Sequence, residues 1–227
     1  MRPKRGGGAV VAGMTGALWL WAGMALAASP PGPITRAAVW RAPANFTTLV
    51  HERCDGEPQP AFGQCFLSVM AAAGASPAAM DFARRMGDEV YLAALADTRP
   101  VAAALVFSPF RANENYFWLL VNGTPSPINV DDQRRLALDA MRASPAYRRL
   151  LRRYPRVSLW PDGRYRPLPA AVRLASGGRR FIISYRLQDF CHACAIVGRA
   201  RFGFDFDAAG KFLGTRFLGL TSAAQNR

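Results

Sequence analysis

From Arg179 to Phe206 the chain reads RRFIISYRLQDFCHACAIVGRARFGFDF. Arg179 to Leu187 is rich in β-branched and aromatic residues, and Ala195 to Phe206 sets Phe202, Phe204 and Phe206 in alternation with Arg201, Gly203 and Asp205. In an extended strand that alternation places the rings on one face and the mixed residues on the other. Two such strands around Cys191, His192, Ala193 and Cys194 predict an antiparallel hairpin with a pinched turn. The fold class that follows is α+β, an antiparallel sheet accompanied by short helices.

The Cys-x-x-Cys turn admits several chemistries. A redox pair needs its first cysteine at a helix N-terminus, where the dipole lowers the thiol pKa, and the residues after Cys194 read as strand. Covalent haem attachment needs histidine directly after the second cysteine, and that position is Ala195. Zinc could take His51, Cys54, Cys191 and Cys194, at the cost of leaving Cys65 unpaired. Two readings remain beside zinc: a structural disulfide with an incidental histidine, and a disulfide-rigidified binding loop made of Asp189, Phe190, Cys191, His192, Ala193 and Cys194. Four cysteines allow three connectivities. Cys54 with Cys65 and Cys191 with Cys194 is the preferred one, because each pair closes a short loop.

Arg2, Lys4 and Arg5 precede an uncharged run from Ala9 to Met24, followed by small residues at Ala25 and Ala27. This is the pattern of a secretory signal peptide over residues 1–27, cleaved after Ala27, with an uncleaved anchor as the alternative. A periplasmic or secreted location follows as an expectation, with membrane contact confined to the signal peptide. An even cysteine count in an oxidising compartment favours two bridges.

Without the signal segment, 26 basic residues face 15 acidic ones, a formal charge of +11, and Lys211 is the only lysine left. Arginine in such excess, with much Ala, Gly and Pro, is also what coding bias produces. The functional expectation is attraction to an anionic envelope polymer; export argues against nucleic acid. Arginine is densest from Arg134 to Arg156, where eight arginines meet one acid, Asp139. On a helix, Arg148, Arg149, Arg152 and Arg153 would form a basic face.

Around this core of signals the chain is expected to divide into a flexible leader (28–35), an N-terminal α+β lobe (36–130), a C-terminal α+β lobe (131–220) and a tail (221–227), the two lobes having either separate cores or one shared core. The first lobe is expected to hold helices from Ala61 to Ala73 and from Ser76-Pro77 to Met86, then strands Val90 to Ala96, which reads equally as helix because YLAALA has no β-branched residue, Val101 to Phe107, Tyr116 to Val121 and Ile128 to Val130. In the second, Asp131 is expected to cap a helix to Ala143 and Ser144-Pro145 another to Arg153. Strands Ser158 to Trp160, Arg164 to Arg166, Ala171 to Ala175 and Lys211 to Gly219 complete it. Ala75-Ser76-Pro77-Ala78 and Ala143-Ser144-Pro145-Ala146 give the two lobes a similar outline, which chance explains as well as duplication, since Ser-Pro is a generic helix start.

Enzymatic constellations are thin: there is no HExxH, GxSxG or phosphate loop. Ser68 lies mid-helix as a packing residue. Asp205-x-Asp207-x-x-Gly210 reads as a hairpin turn instead of a calcium loop, and Arg111 to Asn115 as a self-capping turn. Neither a catalytic residue, a metal nor a cofactor is expected.

Trp160, Gly163-Arg164-Tyr165-Arg166-Pro167, Ser184-Tyr185-Arg186-Leu187, then Cys191, His192 and Cys194, then the strand from Ala200 to Phe206, form a succession that resembles the periplasmic inhibitors of vertebrate-type lysozyme. In that family a C-K-P-H-D-C loop carries the histidine into the lysozyme cleft. The resemblance implies a binding role for Cys191 to Cys194, with lysozyme or another muramidase as partner and His192 as an exposed tip. Here two residues separate the cysteines instead of four, Asp189 lies outside the ring, and a +11 chain would repel a basic lysozyme.

Overall fold

Helices α1 (Phe46–Cys54), α2 (Ala61–Ala72) and α3 (Pro77–Arg85) precede four strands, β1 (Tyr91–Asp97), β2 (Ala102–Phe107), β3 (Tyr116–Val121) and β4 (Ile128–Asn129). Helices α4 (Leu138–Ala143) and α5 (Pro145–Arg153) lead to β5 (Val157–Pro161), β6 (Ala170–Arg173), β7 (Arg179–Asp189), β8 (Ile196–Phe206) and β9 (Phe212–Ser222). The computed structural model describes residues 32–111, 114–162 and 169–222. The expected signal segment, the first half of the leader, the Gly163 to Pro167 stretch with its expected strand Arg164 to Arg166, and the last five residues lie outside them.

Both sheets are antiparallel, β1-β2-β3-β4 and β5-β7-β8-β9 with β6 on β7, and with the helices they make an α+β fold. β2 reads AAALVF without alternation because both its faces are covered. Ala102, Ala104 and Val106 pack with Phe82 of α3, while Ala103 and Leu105 join Trp118 and Leu120 against the second sheet. On that sheet Phe181, Ile183, Tyr185 and Leu187 of β7 meet Phe202, Phe204 and Phe206 of β8, the alternating rings all turned inward. From Pro33 onward the described residues form one compact unit, with a core drawn from both sheets. β1 contains no β-branched residue, yet it is a strand because pairing with β2 supplies its hydrogen bonds.

Ser76 accepts the Ala79 N–H at 3.2 Å and Ser144 accepts the Tyr147 N–H at 3.2 Å, each before a first-turn proline, as read from the sequence. Asp131 is not the expected cap. Its carboxylate is held by Arg111 at 2.5 Å, and Asp132 instead accepts the Arg134 N–H at the start of a short 3-10 turn, Gln133–Arg135, that interrupts the expected helix. α1 was not anticipated; Phe46, Val50 and Cys54, four residues apart, bury its inner face. Thr221 and Ser222, expected to belong to the tail, instead pair with Arg199 and Gly198 at the end of β9. No helix among the described residues is long and apolar enough to cross a membrane.

Candidate functional site

β7 and β8 converge on the Cys191 turn, which the expected Cys191–Cys194 bridge closes, while the expected Cys54–Cys65 bridge ties α1 to α2; no described cysteine is free. Zinc therefore loses its thiolate ligands, and His51 packs edge-on against Phe110 at 4.9 Å. Behind the loop the buried Gln188 amide donates to the carbonyls of His192 at 2.5 Å and Cys194 at 3.2 Å. These bonds and the disulfide fix the backbone of the turn from inside.

His192 is not the exposed tip. Its side chain is 22% exposed, and its ring stands edge-to-face on Trp160 with centroids 5.0 Å apart. Nε2 lies 3.4 Å from Arg186 Nη2 and 3.9 Å from Glu114 Oε1. Glu114 comes from the β2–β3 connection, so the stretch read as a self-capping turn does two things. Asn115 caps Ser108 and Pro109 within the turn, whereas Glu114 crosses to the second sheet and pairs with Arg186.

Arg186 and Arg199 are direct cross-strand partners on β7 and β8. Like charges so placed repel, and carboxylates separate them: Arg199 reaches Asp162 at 3.1 Å while Arg186 takes Glu114. Burial raises the Glu114 carboxyl above its ordinary pKa despite Arg186, and raises Asp131 despite Arg111. The network is a staple between the two sheets. A crevice beside it is lined by Tyr116, Trp118, Asp131, Asp162 and Ile183, but its two acids are already engaged by Arg111 and Arg199.

The exposed side chain of the loop is Phe190, at 58% of its surface, with Ala193 also open to solvent. Phe190 has φ 81°, a left-handed conformation unusual for a bulky residue. Its N–H donates to Arg156 O at 3.1 Å, and its carbonyl accepts the Ser158 hydroxyl at 2.9 Å. The Arg156 guanidinium lies 4.6 Å above its ring.

Arg156 continues the expected basic face. Leu150 of α5 is buried and Tyr147, Leu151 and Tyr154 are half-buried, leaving Arg148, Arg149, Arg152 and Arg153 exposed on the other side. The neighbouring arginines have carboxylate partners: Arg134 and Arg135 share Asp132, and Arg142 meets Asp139. Among the described residues no carboxylate pairs with Arg148, Arg149, Arg152, Arg153 or Arg156. Ser68 donates back to the Cys65 carbonyl at 2.7 Å, and Asp207 accepts from the Ala209 and Lys211 N–H groups in the β8–β9 turn.

Sequence reasoning placed the loop and the arginines but missed Glu114, Asp162, Arg199 and the conformation of Phe190. The opposed Arg186 and Arg199 were the available signal, since alternation in adjacent strands brings them to one face. The chain matches no protein-family model, no curated protein and no solved structure.

Proposed function

We propose that this is an exported, non-enzymatic docking protein that holds to anionic envelope surfaces through the arginine face of α5. The observation that carries this reading is the set of five exposed arginines, Arg148, Arg149, Arg152, Arg153 and Arg156, without carboxylate partners among the described residues. Each such cation contributes roughly 1 kcal/mol near an anionic surface. Their sum gives an attraction that salt weakens steeply. Export rests on the signal pattern of residues 1–27 and is supported by the two disulfides.

Retention of the mature protein on dextran sulfate tests the reading. Replacing Arg148, Arg149, Arg152 and Arg153 by Gln is expected to lower the eluting salt concentration markedly at unchanged thermal stability. Unchanged elution would remove the proposal.

The inhibitor reading keeps one favourable observation, a disulfide-closed loop that presents Phe190 and Ala193 to solvent. On that reading Phe190, not His192, is the leading contact. Muramidase inhibition should then fall with Phe190→Ala and be insensitive to the four arginine replacements.

A further inference from the structure

We infer that the anionic surface is a phospholipid bilayer and that Phe190 is the residue that enters it, an inference that rests on the arginine face as docking surface. Phe190 stands where glycine would be the ordinary choice. Among the described residues, the other positive-φ positions hold glycine, or Asp88 and Asn122, residue types that tolerate the left-handed region. Among the described residues only Phe190 puts a large apolar side chain there, and that side chain is mostly in water instead of in a core. The fold gains little burial from it. Sparsely populated backbone held in place by its surroundings is a mark of function.

The surroundings do hold it. The Arg156 carbonyl, the Ser158 hydroxyl and the Cys191–Cys194 ring fix the backbone on both sides of the residue. The side chain is thus presented without the loss of loop entropy that a mobile anchor would suffer on insertion. Arg156 over the ring, three residues beyond Arg153, joins the aromatic to the cationic face.

An anionic polymer would be satisfied by the guanidinium groups alone. Cations beside a projecting aromatic match a bilayer interface, where phosphates lie above an apolar layer. Arginines would bind the phosphates while the ring lies at the acyl boundary. The exposed Ala193 beside the ring is small enough not to hold it off the surface. Membrane contact would then extend beyond the signal segment.

Co-sedimentation of the mature chain with sucrose-loaded vesicles tests this, using phosphatidylglycerol mixed with phosphatidylcholine against phosphatidylcholine alone, with dextran sulfate retention run in parallel. Wild type is expected to sediment with the anionic vesicles only. Phe190→Gly, which accepts the positive φ, and Phe190→Ser should each lower partitioning about tenfold or more, the loss of one buried aromatic. Both should elute from dextran sulfate as wild type does. The four-arginine variant should lose both interactions. Phe190 variants that sediment like wild type would overturn the insertion. Binding to dextran sulfate without binding to vesicles would overturn the lipid assignment and leave the arginine reading standing. Binding to neither would remove both.

Discussion

Arg180 and Asp205 face each other across β7 and β8 and meet in a two-point hydrogen bond, Nε to Oδ1 at 2.5 Å and Nη2 to Oδ2 at 2.7 Å. Arg216 of β9 adds Nε to Oδ2 at 2.9 Å, so one buried carboxylate ties three strands. Burial pulls its pKa upward, but the Arg180 hydrogen bonds and the two positive charges outweigh it and hold the carboxyl below its ordinary value. Charge-assisted hydrogen bonds of this kind contribute about 1.5–3 kcal/mol.

Asp205→Asn should therefore destabilise the fold by about 2–3 kcal/mol, because Arg180 keeps its charge and loses its partner. Urea denaturation at neutral pH measures it. Because the folded-state pKa is depressed, the stabilisation is present above the unfolded value of about 3.9 and is lost as pH falls through the folded one. Wild type should lose its advantage over the Asn variant in that acid range, and a constant difference down to the lowest accessible pH would contradict the assignment.

Gly203 is the position over which Arg180 lies: a Cβ there would come within 2.6 Å of Arg180 Cδ and 2.9 Å of Nε. Gly203→Ala should lift Arg180 from Asp205 and cost about 1–3 kcal/mol. In the Asp205→Asn background the same change should cost less, since the contact it breaks is already weakened. Additive costs in a double-mutant cycle would show that the two act separately.

Tyr185 is fully buried and donates its hydroxyl to the Val130 carbonyl at 2.5 Å, joining the second sheet to the end of the first. Tyr185→Phe keeps the ring packing and leaves that acceptor without its donor. A loss of about 1–3 kcal/mol in chemical denaturation is expected. Burial holds the hydroxyl pKa well above its ordinary value, so it should stay protonated through the alkaline range in which free tyrosine titrates.

Glu114 and Asp131 act in the opposite sense to Asp205. Their folded-state pKa values are raised, so just above the ordinary carboxylate value the folded chain binds more protons than the unfolded one, and stability falls as pH rises through that interval. Glu114→Gln and Asp131→Asn should flatten this descent, measured as unfolding free energy from about pH 4 upward. An equally steep descent in both variants would place its origin elsewhere.

The β7, β8 and β9 elements and both Ser-Pro caps were legible because their signals are local: alternation, a turn, and an oxygen three residues from the N–H it caps. Asp131 misled because its carboxylate answers to Arg111 from another part of the chain. The candidate site divides the same way. The disulfide loop and the exposed arginines could be read from spacing, but the lie of His192 is set by Trp160, Arg186 and Glu114, which only the folded chain assembles. The φ of Phe190 could not be read at all, since the residue type argues against it.

The boundary at Val130 separates two halves in sequence only. Val101, Ala103, Leu105, Trp118 and Leu120 on one side of it share a core with Phe181, Tyr185, Phe202 and Phe204 on the other. A chain split at that point would yield two fragments, each with one apolar sheet face bare to water.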